Sequence, residues 1–362
     1  MRFALMIEAQ QGVSYADQLA IVRRAEVAGF EAFFRSDHYA AFPGASDNPT
    51  TDAWAVLAGL ARETERITLG ALVSPVTFRH PGNFVKVVTT VDHMSGGRIE
   101  VGVGAGWNEA DHLPLGLPFP KIGERADLME DELAILNGLW TEPDGWSFEG
   151  HALRVENGFL RPKPVDVPGR PRAANGAVRP RIIVGGEGSP RGFRMAARYA
   201  DEFNLSSSSP ERAVEKYAGL DAACRAAGRE PSTLTHSAMV GTMLGADEAE
   251  VARRQTALLR ALDLRVRRPI PDDIDAAWPD PGEPPVELRW PAVGIKATLR
   301  LRSSAGSAIV AASPRGLGAA AIEPQTHLPQ GLGRLLRGEP GALELLAPAA
   351  TLRLAMEWQF RR

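Results

Sequence analysis

Residues 96–112 read GGRIEVGVGAGWNEADH, and this stretch decides which fold the sequence favours. Residues 98–104 have the composition of a short β-strand, and Gly106, Trp107 and Asn108 follow shortly after it. Because glycine carries no side chain, it lets a ligand approach the backbone, and we expect a flat ligand to lie against this strand end. A dinucleotide fingerprint would need its third glycine at position 107, so the stretch disfavours a Rossmann site.

Similar strand patterns recur along the chain and alternate with helical patterns. We predict strands at 3–7, 32–36, 67–73, 98–104, 181–186, 202–206 and 236–244. The helix after the first strand starts at Ser14 with Asp17 three residues on, which is typical of a capping box. Further helices are expected near 190–200, 210–227 and 246–262. This alternation predicts βα units and a parallel sheet.

The fold class is therefore α/β, and two architectures remain open. A (β/α)8 TIM barrel needs eight parallel strands, whereas the sequence provides seven, so its last βα unit is missing or replaced by an atypical tail. An open doubly wound sheet is the alternative. Residues 141–180 interrupt the alternation, and we expect a hairpin-like insertion there that helps to shape the pocket.

The last part of the chain has a different composition. Residues 264–362 hold 12 of the 28 prolines, 12 arginines and a single lysine, and no βα period continues there. We therefore divide the chain into a barrel domain at 1–263 and a tail at 264–362 that is rich in Pro, Arg, Ala and Gly. Two hypotheses explain the tail: a disordered extension, or translation of GC-rich coding DNA out of frame. Reading the other frames for a strand-helix continuation tests the second.

Composition bounds the partners and the compartment. A net charge of −3 gives no electrostatic reason to expect nucleic acid or an anionic membrane as a partner. We find no run of about 18 apolar residues, and Glu8 precedes any apolar region that a secretory leader would need. One cysteine, Cys224, cannot form an internal disulfide. We expect a cytoplasmic protein.

Ligands of parallel α/β folds bind at the carboxyl ends of the strands, so we take the candidate site from those ends. The first strand ends at Glu8. Asp37 and His38 end the second, and they are the acid/base candidates because histidine titrates near neutrality and a neighbouring carboxylate can orient it. The alternative without a catalytic role is that Asp37 caps a turn and that His38 is a polar residue whose hydrogen bonds are satisfied within the protein.

The fifth strand ends in a glycine-rich segment before a helix. Its residues are Gly185, Gly186, Glu187, Gly188 and Ser189. Free N–H groups at a helix start favour a phosphate, although a plain flexible turn has the same composition. No metal site is expected, since the seven histidines are scattered and no H-E-x-x-H motif occurs. We interpret His112 as a surface residue.

Five motifs occur in an order that resembles one family. They are Ser36-Asp37-His38, the 69–81 stretch ending in Phe-Arg-His-Pro, Asp92 with Ser95-Gly96-Gly97-Arg98, the 104–109 stretch GAGWNE, and Ile183-Val184-Gly185-Gly186. The set covers roughly residues 1–262 and resembles the bacterial luciferase-like flavin and coenzyme F420 oxidoreductases, with the F420-dependent branch most similar.

The resemblance implies a TIM barrel with the cofactor ring at the carboxyl ends of its strands. It also implies a bulge with a non-proline cis peptide at Leu72-Val73 behind the ring, and a phosphate region at 185–189. Glu8, Gly106, Trp107 and Asn108 would border the cofactor, and His38 would face the substrate. Homodimerisation is common in the family and is expected here.

The function that the resemblance implies is hydride transfer between coenzyme F420 and a small organic substrate, with His38 as proton donor or acceptor. One alternative keeps the fold and uses FMN in a two-component monooxygenase. Another is a non-catalytic or defective barrel, because the tail leaves the last unit unrecognisable. Sugar-phosphate dehydrogenases of the family carry glutamate where this chain has Trp107, so that activity is disfavoured.

Overall fold

The computed structural model describes residues 2–41, 48–206, 209–242 and 247–253, together with the backbones of six strands between 274 and 361. The chain divides into two compact units, of which the first ends at Thr242. Its strands and helices, in chain order, are β1 Ala4–Ile7, α1 Tyr15–Ala28, β2 Ala32–Arg35, α2 Ala53–Glu63, β3 Thr68–Pro75, α3 Pro81–Ser95, β4 Ile99–Gly104, α4 Ile122–Thr141, β5 Trp146–Glu149, β6 Arg154–Gly158, β7 Arg181–Gly186, α5 Pro190–Tyr199, β8 Glu202–Leu205, α6 Pro210–Ala226 and β9 Thr235–Ala238.

Seven of these strands form one parallel sheet in the order β1-β2-β3-β4-β7-β8-β9. Each strand of this sheet pairs with the strand that follows it in the predicted alternation of strands and helices. Strands β5 and β6 stand apart from the sheet and form the hairpin that was expected within 141–180. Parallel strands in sequential order, connected by helices, are the arrangement of a (β/α)8 barrel. No eighth strand joins β1 to β9 among the described residues.

The local signals in the sequence place the helix ends correctly. Ser14 accepts a hydrogen bond from the Asp17 backbone N–H at 3.2 Å and begins α1, and Gly29 ends it in the left-handed conformation. Pro81 occupies the first turn of α3, where no backbone donor is needed. These contacts fix where each helix starts relative to the strand before it.

The sheet separates two apolar clusters. Alternate strand residues point to opposite faces, so Phe33 packs in the large cluster between sheet and helices while Phe34 packs on the inner face. The inner cluster is small and contains Ala32 and Ile183, with Leu72 packed against it. The inner face therefore has fewer buried apolar side chains than the helical face.

The second unit contains Met243–Arg362. Its six strands are β10 Ile274–Pro279, β11 Val286–Trp290, β12 Ile295–Ser303, β13 Ala308–Ser313, β14 Ala321–Gln325 and β15 Leu354–Arg361. They pair antiparallel in two three-stranded sheets, β10-β13-β14 and β11-β12-β15. The sequence at 295–303, IKATLRLRS, alternates apolar and polar residues, as β-strands do. The prediction of βα units did not include this strand.

The predicted domain boundary at 263/264 lies outside the described residues, as does most of the helix predicted at 246–262. Residues 248–253 at the start of that segment are helical. The proposal that the tail is encoded out of frame stays a prediction.

Candidate active site at the carboxyl ends of the strands

His38 follows the end of β2 and is held by a carboxylate from a distant loop. Its Nδ1 lies 2.6 Å from Oδ2 of Asp111, whose side chain is 1% exposed. The other oxygen of Asp111 accepts hydrogen bonds from the backbone N–H groups of Tyr39, at 2.9 Å, and Ala40, at 2.7 Å. Because three donors converge on one buried carboxylate, the imidazole has a fixed orientation.

Asp37, the neighbour that we expected to orient His38, is engaged elsewhere. It accepts hydrogen bonds from the hydroxyl of Ser74, at 2.8 Å, and from the Arg79 guanidinium, at 2.6 Å, and it is 1% exposed. Consecutive residues at a strand end point in opposite directions, so the two side chains diverge. The expectation that Asp37 orients His38 is therefore wrong, and Asp111 has that role.

Arg79 links Asp37 to a second carboxylate. Its guanidinium also contacts Asp52 and lies 3.0 Å from the hydroxyl of Tyr39, which donates to Asp52 at 2.7 Å. The charges of Asp37 and Asp52 outweigh the cost of burial and raise the pKa of Arg79, so the group stays cationic at all working pH values. These contacts fix the chain segment around Arg79 against Asp37, at the end of β2.

The Leu72-Val73 peptide bond of β3 is cis, as the resemblance implied. The register of β3 against β4 shifts between Ala71 and Ser74, which places a bulge at the same two residues. The Val73 side chain turns over the neighbouring strands, and a Cβ at Gly104 or Gly185 would lie 2.6 Å from one of its methyl groups. These two glycines thus make room for Val73, not directly for a ligand as their position in the sequence suggested.

We expect Gly104→Ala to destabilise the protein by about 1–3 kcal/mol, because its new methyl group would overlap Val73. The double variant Gly104→Ala/Val73→Ala should recover most of this loss, since Val73 is the one side chain that lies within 3 Å of the added Cβ. Urea unfolding of the four proteins in this mutant cycle measures the coupling. Gly70→Ala is the matched control on β3: its Cβ would lie 2.6 Å from the Glu100 carbonyl oxygen and 2.8 Å from the Phe34 ring, so Val73→Ala should not rescue it.

The loop after β4 brings Trp107 and Asn108 to the histidine. The indole is 63% exposed, and its ring centroid lies 5.8 Å from that of His38 in an edge-to-face arrangement. Oδ1 of Asn108 accepts from the Ala110 N–H at 3.2 Å, while its Nδ2 is buried without a hydrogen-bond partner among the described residues. Gly106 has a φ of +79°, which a residue with a side chain rarely adopts.

His112, which we expected at the surface, is buried. Its Nε2 lies 2.6 Å from the Thr77 hydroxyl and its Nδ1 lies 2.8 Å from the backbone oxygen of Asn108. The ring therefore connects the loop after β4 to the segment that follows β3. The prediction that His112 lies at the surface was wrong. The short 3-10 turn Glu109–Asp111, directly before it, folds the loop back over the sheet.

The glycine-rich segment after β7 leads into α5 as predicted. The Ser189 hydroxyl accepts from the Gly192 N–H at 3.0 Å and caps the helix. Lys216 donates to the Gly188 carbonyl at 3.0 Å, and Glu187 is a largely exposed side chain. A helix start beside a lysine favours an anion, so these contacts are compatible with the predicted phosphate region.

Glu8 directly follows β1 and accepts a hydrogen bond from the Gln10 side chain at 2.7 Å. The described residues contain no group of three or more His, Cys, Asp or Glu side chains arranged to hold a metal ion. Within the same residues, we find no helix with both the length and the apolar character that a bilayer crossing requires.

The insertion does not lie where we expected. Asp92 accepts from the backbone N–H of Val165 at 2.9 Å, and Lys163 donates to the carbonyl of Leu139 at the same distance. Asp92 and Leu139 stand near the ends of α3 and α4, which run back toward the start of the next strand. Residues 160–170 therefore pack at the opposite edge of the sheet from His38, so this part of the insertion does not border the site; a role of the rest of 141–180 in the pocket stays a prediction.

Glu132 is a buried acid on α4 that sequence reasoning missed. The residue is 2% exposed, and burial raises the pKa of its carboxyl to about 8, against the opposing charge of Arg79. The sequence could have indicated this buried acid, because Glu132 lies between Met129 and Leu133 on an otherwise apolar face of the helix. At neutral pH this carboxyl carries a proton in the folded protein.

We expect the stability of the protein to fall as the pH rises from 5 to 8. In this range Glu132 is protonated when folded and ionised when unfolded, so rising pH lowers the free energy of the unfolded state relative to the folded state, by roughly 3 kcal/mol over the range. Glu132→Gln should remove this component, which urea unfolding at several pH values measures. Glu124→Gln, on the exposed start of the same helix, should keep the wild-type pH dependence. An unchanged slope in Glu132→Gln would contradict the assignment.

Three comparisons place these features among known proteins. Residues 1–303 match the family model described as luciferase-like monooxygenase. An F420-dependent glucose-6-phosphate dehydrogenase of Nakamurella multipartita is 32% identical over 213 residues, which is 57% of this chain and 56% of that protein. An FMNH(2)-dependent dimethylsulfone monooxygenase of Pseudomonas putida is 31% identical over 202 residues, or 55% and 50%.

The fold is also that of solved structures. An F420-dependent secondary alcohol dehydrogenase in complex with an F420-acetone adduct superposes with a TM-score of 0.57 at 23% identity, covering 66% of this chain and 69% of that one. EDTA monooxygenase from Chelativorans sp. BNC1 superposes with a TM-score of 0.58 at 20% identity, covering 72% and 69%. The chain spans about half the length of the two curated relatives named above.

Proposed function

The chain belongs to the luciferase-like monooxygenase family, and we propose that it is an oxidoreductase that transfers a hydride between coenzyme F420 and a small organic substrate. The observation that carries the proposal is the contact of 2.6 Å between His38 and Asp111 at the end of β2. Hydride transfer to or from an alcohol or carbonyl carbon requires a proton to move on the oxygen. A histidine oriented by a buried carboxylate supplies that proton.

The residues around His38 fit a flat cofactor. The Leu72-Val73 bulge offers an apolar surface, and the buried Nδ2 of Asn108 has no hydrogen-bond partner among the described residues, as expected of a donor reserved for a ligand. The segment from Gly186 to Ser189, with Lys216 beside it, would hold a phosphate. When bound, F420 supplies a ring that accepts or donates a hydride.

In this arrangement the chain's own groups have separate tasks. Val73 and Leu72 back the ring, and the exposed indole of Trp107 covers the histidine from one side. Asp111 holds the imidazole through Nδ1, so Nε2 gives a proton to the substrate oxygen in reduction and takes one in oxidation. The bound ring and the indole together would exclude water from the reacting atoms.

The substrate is proposed to be neutral rather than a phosphate ester. Arg79, which is anchored to the neighbour of His38, is already bound to Asp37 and Asp52. Trp107 presents apolar surface at the entrance, where sugar-phosphate dehydrogenases of the family would carry a carboxylate. An uncharged alcohol or ketone therefore suits this side of the site better than glucose 6-phosphate.

FMN is the second candidate cofactor. It is supported by the sequence similarity to a monooxygenase that uses reduced FMN, and the same bulge and phosphate segment would accept its ring and its phosphate. In that case the protein would be the oxygenase of a two-component system. His38 would then protonate or deprotonate the organic substrate in the same position.

Titration of the full-length protein with F420 and with FMN, followed by visible absorbance and fluorescence, tests the proposal. We expect F420 to bind at micromolar concentration and FMN at least tenfold more weakly. Asn108→Ala should weaken F420 binding, whereas Glu124→Gln should leave it unchanged. Preference for FMN would overturn the F420 assignment in favour of the second candidate, and failure to bind either would overturn both.

A further inference from the structure

A cavity on the outer face of the first unit is lined by an unusual number of arginines. It has a volume of about 830 Å³ and lies among α4, α5 and the end of α6. Six guanidinium groups border it, those of Arg172, Arg179, Arg191, Arg194, Arg198 and Arg229. The volume is within the range of small-molecule sites. We call this cavity the arginine groove.

Three of these arginines are already paired with carboxylates. Arg179 binds both oxygens of Asp201, and Arg191 lies 2.6 Å from Asp127 and 3.1 Å from Glu130. Arg172 pairs with Asp166 at the surface. Their charges are therefore balanced within the described residues.

Arg229 is held by backbone oxygens. Its guanidinium donates to the carbonyls of Ala197, at 3.1 Å, and Ala200, at 2.7 Å, at the end of α5. These contacts cap the helix and fix the floor of the arginine groove. No carboxylate neutralises this group among the described residues, so it adds positive charge to the floor.

Arg194 and Arg198 are exposed and have no acidic partner in the described part of the chain. They stand four residues apart on α5, so they project from the same side of the helix with Cβ atoms about 6 Å apart. The two carboxylates that line the groove are already engaged: Asp201 binds Arg179 and the N–H of Ile182, and Glu130 binds Arg191. The unbalanced positive charge therefore lies on Arg194 and Arg198, whose two guanidinium groups can each bind one phosphate.

Aromatic rings continue the arginine groove at one end. A second cavity of about 400 Å³ shares Arg172, Arg179, Arg198 and Tyr199 with the first, and Trp146 and Phe148 of the β5-β6 hairpin line its far side. The rings of Trp146 and Phe148 are nearly parallel, at 13° and 5.7 Å between centroids. Half-buried flat rings beside a cluster of arginines suit a ligand that has both a planar ring and phosphate groups.

We propose that the arginine groove binds a nucleoside diphosphate, with its two phosphates on Arg194 and Arg198 and its base against the aromatic end formed by Trp146, Phe148 and Tyr199. The site is separate from the residues around His38, because its walls are the outer surfaces of α4, α5 and α6 and the hairpin. Its occupant would be a regulatory or stabilising ligand and not a reactant of the hydride transfer.

Isothermal titration of the full-length protein with ADP, pyrophosphate and adenosine tests this. We expect ADP to bind at micromolar concentration, and pyrophosphate and adenosine each at least tenfold more weakly. Arg194→Ala/Arg198→Ala should weaken ADP binding by tenfold or more. The matched control, Arg24→Ala/Arg66→Ala, removes two exposed arginines elsewhere and should change it less than twofold.

Three outcomes would overturn the proposal. ADP could fail to bind, could bind the Arg194→Ala/Arg198→Ala variant as well as the wild type, or could bind no more tightly than pyrophosphate, which would remove the role of the aromatic end. The variant Phe148→Ala tests the role of the aromatic end directly. It should weaken ADP binding and leave pyrophosphate binding unchanged. F420 binding should be the same in all these variants, so the result is independent of the proposed oxidoreductase activity.

Discussion

Replacing His38 with alanine is expected to lower F420 turnover by about 10²–10⁴-fold while the Kd for F420 changes less than threefold. The reason is that the imidazole moves the proton on the substrate and contributes little to holding the cofactor. The visible absorbance of F420 follows turnover, and fluorescence follows binding. His151→Ala removes an exposed histidine from the hairpin side of the molecule and should behave as the wild type.

Asp111→Asn separates orientation from simple packing. The amide would donate to Nδ1 instead of accepting from it, so the proton of a neutral His38 would be held on Nε2 and the ring could no longer act as a base. We expect turnover to fall by about 10²-fold or more, with F420 binding preserved. Wild-type turnover in either His38→Ala or Asp111→Asn would remove the pair from the mechanism.

Replacing Asp92 with alanine is expected to destabilise the protein by about 3–5 kcal/mol. The carboxylate is fully buried on α3, where one oxygen lies 2.9 Å from a guanidinium nitrogen of Arg170 and also accepts the N–H of Val165. Without it, the Arg170 charge stays buried without its carboxylate, and the connection that crosses the end of α3 loses its anchor. Urea unfolding measures the loss.

The control for Asp92 is a surface pair in the same connection. Asp166 binds Arg172 where both side chains are about half exposed, so Asp166→Ala should cost less than about 1 kcal/mol. A loss below 1 kcal/mol in Asp92→Ala would mean that the buried pair does not hold the connection. An equal loss in both variants would mean that burial does not distinguish them.

Most elements of the first unit could be predicted from the chain because their signals are local. The start of α1 was predicted from the capping pattern at Ser14, and Gly29 and Pro81 mark helix ends through their own backbone conformation. The antiparallel pairing beyond residue 274 was missed, since pairing partners there, such as 295–303 and 354–361, lie far apart in the sequence. A pattern of period two indicates a strand but does not say which strand it joins.

The family motifs contain residues of two different kinds, which the sequence alone could not separate. Asp92 and Arg98 hold the frame: Arg98 donates to the carbonyls of Ala61, at 2.7 Å, and Ile67, at 2.8 Å, and ties the start of β4 to the end of α2. His38 lies at the carboxyl ends of the strands instead. Both kinds of residue are polar, and only their contacts assign them to structure or to chemistry.

By itself the sequence determined the alternation of strands and helices, the bulge at Leu72-Val73 through the family resemblance, and the strand end that carries His38. The tertiary structure alone decided that Asp111 orients His38 across 73 positions of sequence, and that Gly104 and Gly185 make room for Val73. The physical reason is range: capping and periodicity act between residues a few positions apart, whereas a carboxylate reaches its histidine only after the parallel sheet has brought β2 and the loop after β4 to the same edge.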